Sequence, residues 1–282
     1  MSRAIDVNHL GRDRVIVAYE LDGLIVDPGP TTGLEALLAG LGDTEPRALL
    51  LTHIHLDHAG GSGRLVQRFP GLTVYVHERG SPHLIDPERL LKSARQLYGD
   101  DMDRLWGEVV PVPEENIVEL AGGETIEDRI RVEYSPGHAS HHVSYLDETT
   151  VEAFVGDVAG VRVPPAEHVL PPTPPPDVDL EAWSGSLDKL RDWDPQALCL
   201  THFGPVRDVE RQLVAIREVL ARRAQLARAH GREAFLAATE QDLSSTGDPE
   251  LADRLRRAAP PEQLWLGLER YWRKRAEREA AA

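Results

Sequence analysis

Thr52-His53-Ile54-His55-Leu56-Asp57-His58-Ala59-Gly60-Gly61 is the stretch on which the reading of this chain turns. It follows Ala48-Leu49-Leu50-Leu51, an apolar run of the length of a buried strand and too short for a buried helix. Three imidazoles and a carboxylate within six residues form a metal-ligand cluster, because zinc takes His nitrogen and Asp oxygen in four- or five-coordinate sites. On extended backbone, side chains two apart point the same way, so His53 and His55 can share one ion. Asp57 and His58 lie past the turn and can face a second ion. Gly60 and Gly61 let the backbone fold tightly beneath the cluster before a helix from Gly61 to Phe69.

The cluster supplies at most four ligands, so a paired-metal site must recruit others from far along the chain. Three loop positions offer them: His138 after Tyr134-Ser135-Pro136-Gly137, Asp157 after Phe154-Val155-Gly156, and His202 after Cys199-Leu200-Thr201. Each polar residue ends a β-like run with glycine next to it or, for His202, two residues on at Gly204, the placement expected of active-site loops on a rigid sheet. Cys199 sits inside an apolar run and reads as inert.

Around these positions short strands alternate with helices. Val15–Tyr19, Leu24–Val26, Leu72–Val76 and Ala197–Leu200 read as strands, as do segments near 109–112, 116–119, 130–134, 142–146 and 151–155. Leu34–Leu41, residues 84–106 and Leu180–Trp193 read as helices, and the Pro-rich 164–176 as a stiff loop with polyproline character. Beyond Pro205 the pattern is helical throughout, with breaks at Gly247-Asp248-Pro249 and Pro260-Pro261. The expected division is a catalytic part, 1–230, and a helical C-terminal extension, 231–282.

Composition narrows the function. The 282 residues carry 31 basic and 47 acidic side chains, a formal charge of −16. Residues 206–282 hold 15 basic against 13 acidic groups, so the acidity belongs to the α/β part. That balance argues against nucleic acid and against anionic lipid as partners. A single cysteine excludes an intramolecular disulfide framework and any Cys-rich zinc site. No apolar run approaches the ~18 residues of a membrane span, and Met1–Asp6 lacks the apolar core of a signal peptide, so a cytoplasmic protein is expected.

Asp27, the H-x-H-x-D-H run at 53–58, Gly137-His138, Gly156-Asp157 and His202 together resemble the metallo-β-lactamase-fold hydrolase superfamily, in order and approximate spacing over residues 13–205. The resemblance implies an α+β chain folded as an αββα four-layer sandwich, with metals at one sheet edge. It implies that His53, His55 and His138 hold the first metal, that Asp57, His58 and His202 hold the second, and that Asp157 bridges them. Asp27 would brace the histidine loop without ligating. Ser135-Pro136-Gly137-His138-Ala139-Ser140-His141-His142 is similar to the glyoxalase II-like branch, with His141 where a glycine is common and His142 at a structural histidine position. No glutathione-binding set of basic and aromatic residues is matched in the C-terminal helices.

Two divalent ions, zinc first and iron or manganese as alternatives, would make a metal-bound hydroxide available at neutral pH for attack on an ester, thioester or lactone carbonyl. Asp57 would orient the nucleophile and shuttle its proton. The alternatives are a phosphodiesterase or phosphotriesterase on the same site, or a mononuclear iron persulfide dioxygenase-like enzyme. A small and, given the local cationic centre, anionic substrate is expected, with His83 in Ser81-Pro82-His83-Leu84 as a substrate contact. His9, His77, His168 and His230 read as surface or ordinary structural positions. Trp265, Leu266, Leu268, Tyr271 and Trp272 form an apolar stripe for packing on the sandwich, a homodimer contact or a pocket lid.

Overall fold

The computed structural model describes residues 1–281. One sheet runs in chain order through β1 (Arg3–Asp6), β2 (Val17–Leu21), β3 (Leu24–Val26), β4 (Ala48–Leu50), β5 (Thr73–His77) and β6 (Ile117–Leu120). Its first three strands pair antiparallel and the remainder parallel. The second sheet comprises β7 (Thr125–Ile126), β8 (Ile130–Tyr134), β9 (Val143–Asp147), β10 (Glu152–Gly156), β11 (Ala197–Leu200) and β12 (Gly204–Val206). Only β10 and β11 pair parallel in it.

Period-two alternation divides the strand residues between two layers. Val17, Tyr19, Val26 and Leu50 face Val132, Val143, Tyr145 and Phe154 across the gap between the sheets. Ala18, Ile25, Leu49 and Val74 turn outward onto α1 (Leu34–Leu41) and onto α3 (Ser62–Arg68), which follows the single turn α2 (Leu56–Ala59). Next come α4 (Ser81–Ile85), α5 (Glu88–Tyr98) and α6 (Met102–Trp106). On the far side Ala153, Val155 and Leu198 pack on Trp183 and Leu187 of α7 (Leu180–Asp192) and on Leu213 and Ile216 of α8 (Val209–Ala229). The result is helix, sheet, sheet, helix. Burying each of these large side chains contributes roughly 1.5–3 kcal/mol.

The two sheets are tied at the edge where the histidine loop begins. Tyr19 Oη donates to the Leu200 carbonyl (2.6 Å) and Tyr145 Oη to the Leu51 carbonyl (2.7 Å), each crossing from one sheet to the other. The Val17 and Val143 N–H groups donate to the carbonyls of Thr201 and Thr52 (2.9 and 2.8 Å). This edge is therefore fixed by backbone and buried phenols, independently of any ion.

Three further helices complete the chain: α9 (Arg232–Ser244), α10 (Pro249–Ala258) and α11 (Pro261–Ala281). Phe235, Leu255, Leu264, Leu268 and Tyr271 bury themselves with Val161, Val163 and Leu170. Gly267 lets α11 lie directly on the Pro-rich segment, because a Cβ there would stand 2.0 Å from the Thr173 carbonyl oxygen. No helix among the described residues is long and apolar enough to cross a membrane.

Some expectations on elements need correction. Residues 109–112 are not a strand: Pro111 and Pro113 lack the N–H a ladder needs, and Val112 N–H instead meets the Leu84 carbonyl (2.9 Å). The 84–106 region breaks into separate helices around Asp86-Pro87 and Gly99. β12 interrupts the passage into the C-terminal helices, so the chain beyond Pro205 is not wholly helical.

Candidate metal centre

The loop after β4 carries His53 and His55, the latter on extended backbone, and α2 then lifts Asp57 and His58. His138 stands between β8 and β9, Asp157 directly after β10, and His202 between β11 and β12. All seven side chains meet at the tied edge. His53 Nε2, His55 Nδ1 and His138 Nε2 lie 2.9–3.2 Å from one another. Nitrogens at 2.0–2.1 Å from a tetrahedral ion are about 3.3 Å apart, so this triangle nearly has the size an ion requires. Asp57 Oδ2 is 3.8 Å from His58 Nε2 and 3.4 Å from His202 Nε2, forming a second group. Asp157 faces both: Oδ2 is 3.3 Å from His138 Nε2, and Oδ1 is 3.5 Å from His58 Nε2 and from His202 Nε2.

Hydrogen bonds behind the rings set which nitrogen is free. His58 Nδ1–H donates to Asp27 Oδ2 (2.8 Å), His138 Nδ1–H to the Pro172 carbonyl (2.8 Å) and His202 Nδ1–H to the Val15 carbonyl (2.6 Å). Each turns its Nε2 into the centre, where an ion would take the place of any proton on that nitrogen. His58 Nε2, His202 Nε2 and Asp157 Oδ1 are buried without a hydrogen-bond partner among the described residues. Buried polar atoms are ordinarily satisfied, so converging orphans of this kind fit a cation.

Asp27 is the hub of the support. Fully buried, it accepts from Thr52 N–H (2.8 Å), Thr52 Oγ1 (2.7 Å), Thr201 Oγ1 (2.9 Å) and His58. Gly156 makes the next contact possible. Its φ is +47°, and a Cβ would stand 2.5 Å from Thr52 Oγ1 and 2.7 Å from His142 Nε2. Gly156→Val is therefore expected to displace Asp157 and to cost roughly 2–4 kcal/mol of stability, through strain at a left-handed position plus overpacking. Denaturant melting and metal content check this; a variant with wild-type values for both refutes it.

Charge inside the centre is sharply divided. Burial holds His53, His55 and His138 below the ordinary imidazole value, His55 at about 3. Burial alone would lower His58 and His202 as well, but the Asp157 and Asp57 carboxylates reverse this and raise both. Burial likewise pushes Asp57 and Asp157 up, and the facing imidazoles bring both below the usual carboxylate range. His141 and His142 are lowered mainly by burial.

The five lowered imidazoles, like His9, His77 and His168, are held below 6.5 when folded and protonate near 6.5 when unfolded. The unfolded state thus binds more protons below 6.5, and stability drops as pH falls. His58 and His202 are protonated in both states there and do not offset the loss. Metal-stripped protein is expected to melt at progressively lower temperature from about pH 6.5 to about 5. A Tm that stays level or rises across that window refutes it.

A cavity of about 310 Å³ opens above the centre. His55, Asp57 and Asp157 line its floor, and Leu90, Ala94 and Leu97 of α5 form an apolar wall. His83 lines the cavity. Tyr98 and His141 also line it, and neither was singled out as a contact by the sequence. His9 is buried, stacked on Trp106 (5.4 Å between ring centres), and lies within electrostatic reach of Asp57 and His202.

The family model for the metallo-beta-lactamase superfamily matches residues 15–202. A metallo-beta-lactamase fold-containing protein, ST1585 of Sulfurisphaera tokodaii, is 30% identical over 164 residues, covering 56% of this chain and 60% of that one. A hydroxyacylglutathione hydrolase of Xylella fastidiosa is 32% identical over 155 residues, 55% of this chain and 46% of that one. The matched stretch spans about half the length of these curated relatives. Among solved structures, ST1585 from Sulfolobus tokodaii has a TM-score of 0.68 at 25% identity, covering 78% of this chain and 86% of that one. TTHA1623, solved in a di-iron-bound form, has a TM-score of 0.52 at 26% identity, covering 71% and 91%. With its family model, its four layers and its His/Asp groups in agreement, the chain belongs to the metallo-beta-lactamase superfamily.

Proposed function

We propose that this chain is a metal-dependent hydrolase that cleaves an acyl ester, thioester or lactone at its carbonyl. The observation that carries this reading is the pair of donor groups sharing Asp157 on the floor of a cavity with an apolar wall. His53, His55 and His138 would hold one divalent ion and Asp57, His58 and His202 the other, with Asp157 serving both. Bound there, such ions lower the pKa of a coordinated water from ~16 to about 7 and polarise a carbonyl. Zinc suits the nitrogen-rich set, and iron or manganese accept the same donors; the di-iron form of TTHA1623 supports testing iron.

The chain's own groups then divide the work. Asp57 remains a carboxylate at neutral pH and lines the cavity, so it can accept a hydrogen bond from the attacking water and orient it. Burial, with the charge of Asp57 across the same cavity, keeps Tyr98 a phenol, able to donate to the oxygen that gains charge at the reacting carbon. Leu90, Ala94, Leu97 and Leu264 shield an acyl chain from water. The name of the hydroxyacylglutathione hydrolase relative supports an acyl substrate.

The test is a panel of esters, thioesters, lactones and phosphodiesters, run with zinc-, iron- and manganese-loaded protein beside chelator-treated protein. Carbonyl hydrolysis that vanishes on chelation is expected. Hydrolysis confined to phosphodiesters, oxygen uptake with a persulfide, or full activity after chelation overturns the reading.

A further inference from the structure

A second cavity, of about 400 Å³, adjoins the first and shares Arg79, Ser140, Pro176 and Asp177 with it. Its outer wall is α11, which contributes Arg270, Lys274 and Arg278. These stand four residues apart on one helix face, so the three cations extend over about 12 Å. Arg79 stands at the junction. Its guanidinium covers the Tyr134 ring (5.6 Å) and donates to Tyr134 Oη (3.0 Å), which donates in turn to the Ser140 carbonyl (2.9 Å). That carbonyl lies only two residues beyond His138, so the junction is built onto the metal loop itself.

Among the described residues, Arg79, Arg270 and Arg278 have no carboxylate within ion-pair distance. The remaining cation, Lys274, meets Glu277 at the surface (3.0 Å). Arg270 Nε donates to the Pro176 carbonyl (3.0 Å), which fixes the guanidinium while keeping its charge. Two acids line the groove, and both are engaged: Asp177 accepts from Ser140 Oγ, and Asp179 caps α7 through Ala182 N–H (2.9 Å). In a chain of charge −16, a groove with four cations against two acids is a local reversal of sign.

We propose that this groove holds the leaving half of the substrate, and that the substrate is an acyl thioester or ester whose thiol or alcohol carrier bears several phosphate groups. This rests on the acyl-hydrolase reading above. The acyl chain lies on the α5 wall, the carbonyl sits over the metal floor, and the carrier passes Arg79 into the groove. A lone carboxylate would meet one cation; charges spread along a phosphorylated carrier meet the series, and arginine forks pair with phosphate through two hydrogen bonds. In the reaction, water oxygen bonds to the acyl carbon, the carbon–sulfur bond breaks, and the departing thiolate takes the proton that water gave up. The products are the free acid and the free thiol.

The test compares butyryl-coenzyme A, butyryl-glutathione and butyryl-N-acetylcysteamine on metal-loaded protein. The coenzyme A thioester is expected to exceed the neutral N-acetylcysteamine thioester in kcat/KM by about tenfold or more, with the ratio shrinking from about 0.05 to about 0.5 M salt. Combined Lys274→Glu and Arg278→Glu should cut that ratio about fivefold or more, and should weaken calorimetric binding of desulfo-coenzyme A, which has no thiol to take a metal, about tenfold. A ratio near one, or a ratio and binding indifferent to the double substitution, overturns the groove while leaving the acyl-hydrolase reading standing. Preference for the glutathione thioester overturns the phosphate assignment. Binding of desulfo-coenzyme A with no thioester hydrolysed removes the acyl-hydrolase reading, and the substrate assignment with it.

Discussion

Asp157→Ala is expected to lower kcat by at least about 10²–10³-fold and to reduce bound metal below one equivalent per chain. Most single-ligand losses would spare one ion. Asp157 differs because its two oxygens face opposite ways, Oδ2 toward His138 at 3.3 Å and Oδ1 toward His58 and His202 at 3.5 Å. Removing it subtracts a donor from both groups at once and, with two ions held as proposed, would take away the carboxylate that offsets their mutual repulsion. Asp57→Ala should be milder toward metal, costing one equivalent, because among the described residues Asp57 comes within ion-pair distance of His58 and His202, both in the second group. Elemental analysis beside steady-state kinetics checks the pair. An Asp157→Ala protein that keeps two ions and turns over would sink the shared-carboxylate arrangement.

Asp27→Ala carries the second large effect, and it acts without touching substrate. The substitution strands four buried donors at once: Thr52 N–H, Thr52 Oγ1, Thr201 Oγ1 and His58 Nδ1. Losing the carboxylate partner of a buried imidazole and these hydroxyls should cost about 3–5 kcal/mol, or a Tm lower by about 5–10 °C in a chain of this size. His58 would also lose the bond that keeps its proton on Nδ1, so its Nε2 becomes a poorer donor and metal affinity falls about 10–100-fold. Melting and metal titration check this; wild-type values for both would remove Asp27 from the support.

The run at 53–58 was legible because four donors of one chemistry sit within six residues after a buried strand, so no long-range information was needed. His138, Asp157 and His202 were legible only as repeated contexts, each a polar residue beside glycine or threonine at the end of an apolar run. The four layers followed from the family resemblance, and the strand alternation agrees: Val17 and Tyr19 face inward while Ala18 faces out.

What escaped were edges and walls. β1 has a single buried residue, Ile5, while β7 is two residues long and β12 opens Gly204-Pro205. None offers the apolar alternation that marks a strand. The cavity could not be read because its walls come from α5, residues 172–177 and residues 258–264, which only the tertiary fold brings together. The basic groove stayed hidden for the same reason: Arg270, Lys274 and Arg278 look like an ordinary solvated helix face until Arg79 is set opposite them.

The contact of α11 with the Pro-rich segment has an evolutionary consequence. The donor atoms of the centre come from loops and the single turn α2 at the sheet edge, whereas the strip at 172–177, which lines the first cavity and whose Pro176 and Asp177 also line the second, is held on α11 by Gly267 and by Thr173 Oγ1 donating to the Leu264 carbonyl (3.0 Å). The two meet at one bond, His138 Nδ1–H to the Pro172 carbonyl (2.8 Å), and are otherwise carried by separate stretches of chain. On the proposed function, substitutions in α11 would retune which molecules are accepted while the donor set stays in place, which makes this helix the natural place to recombine when a new specificity is sought.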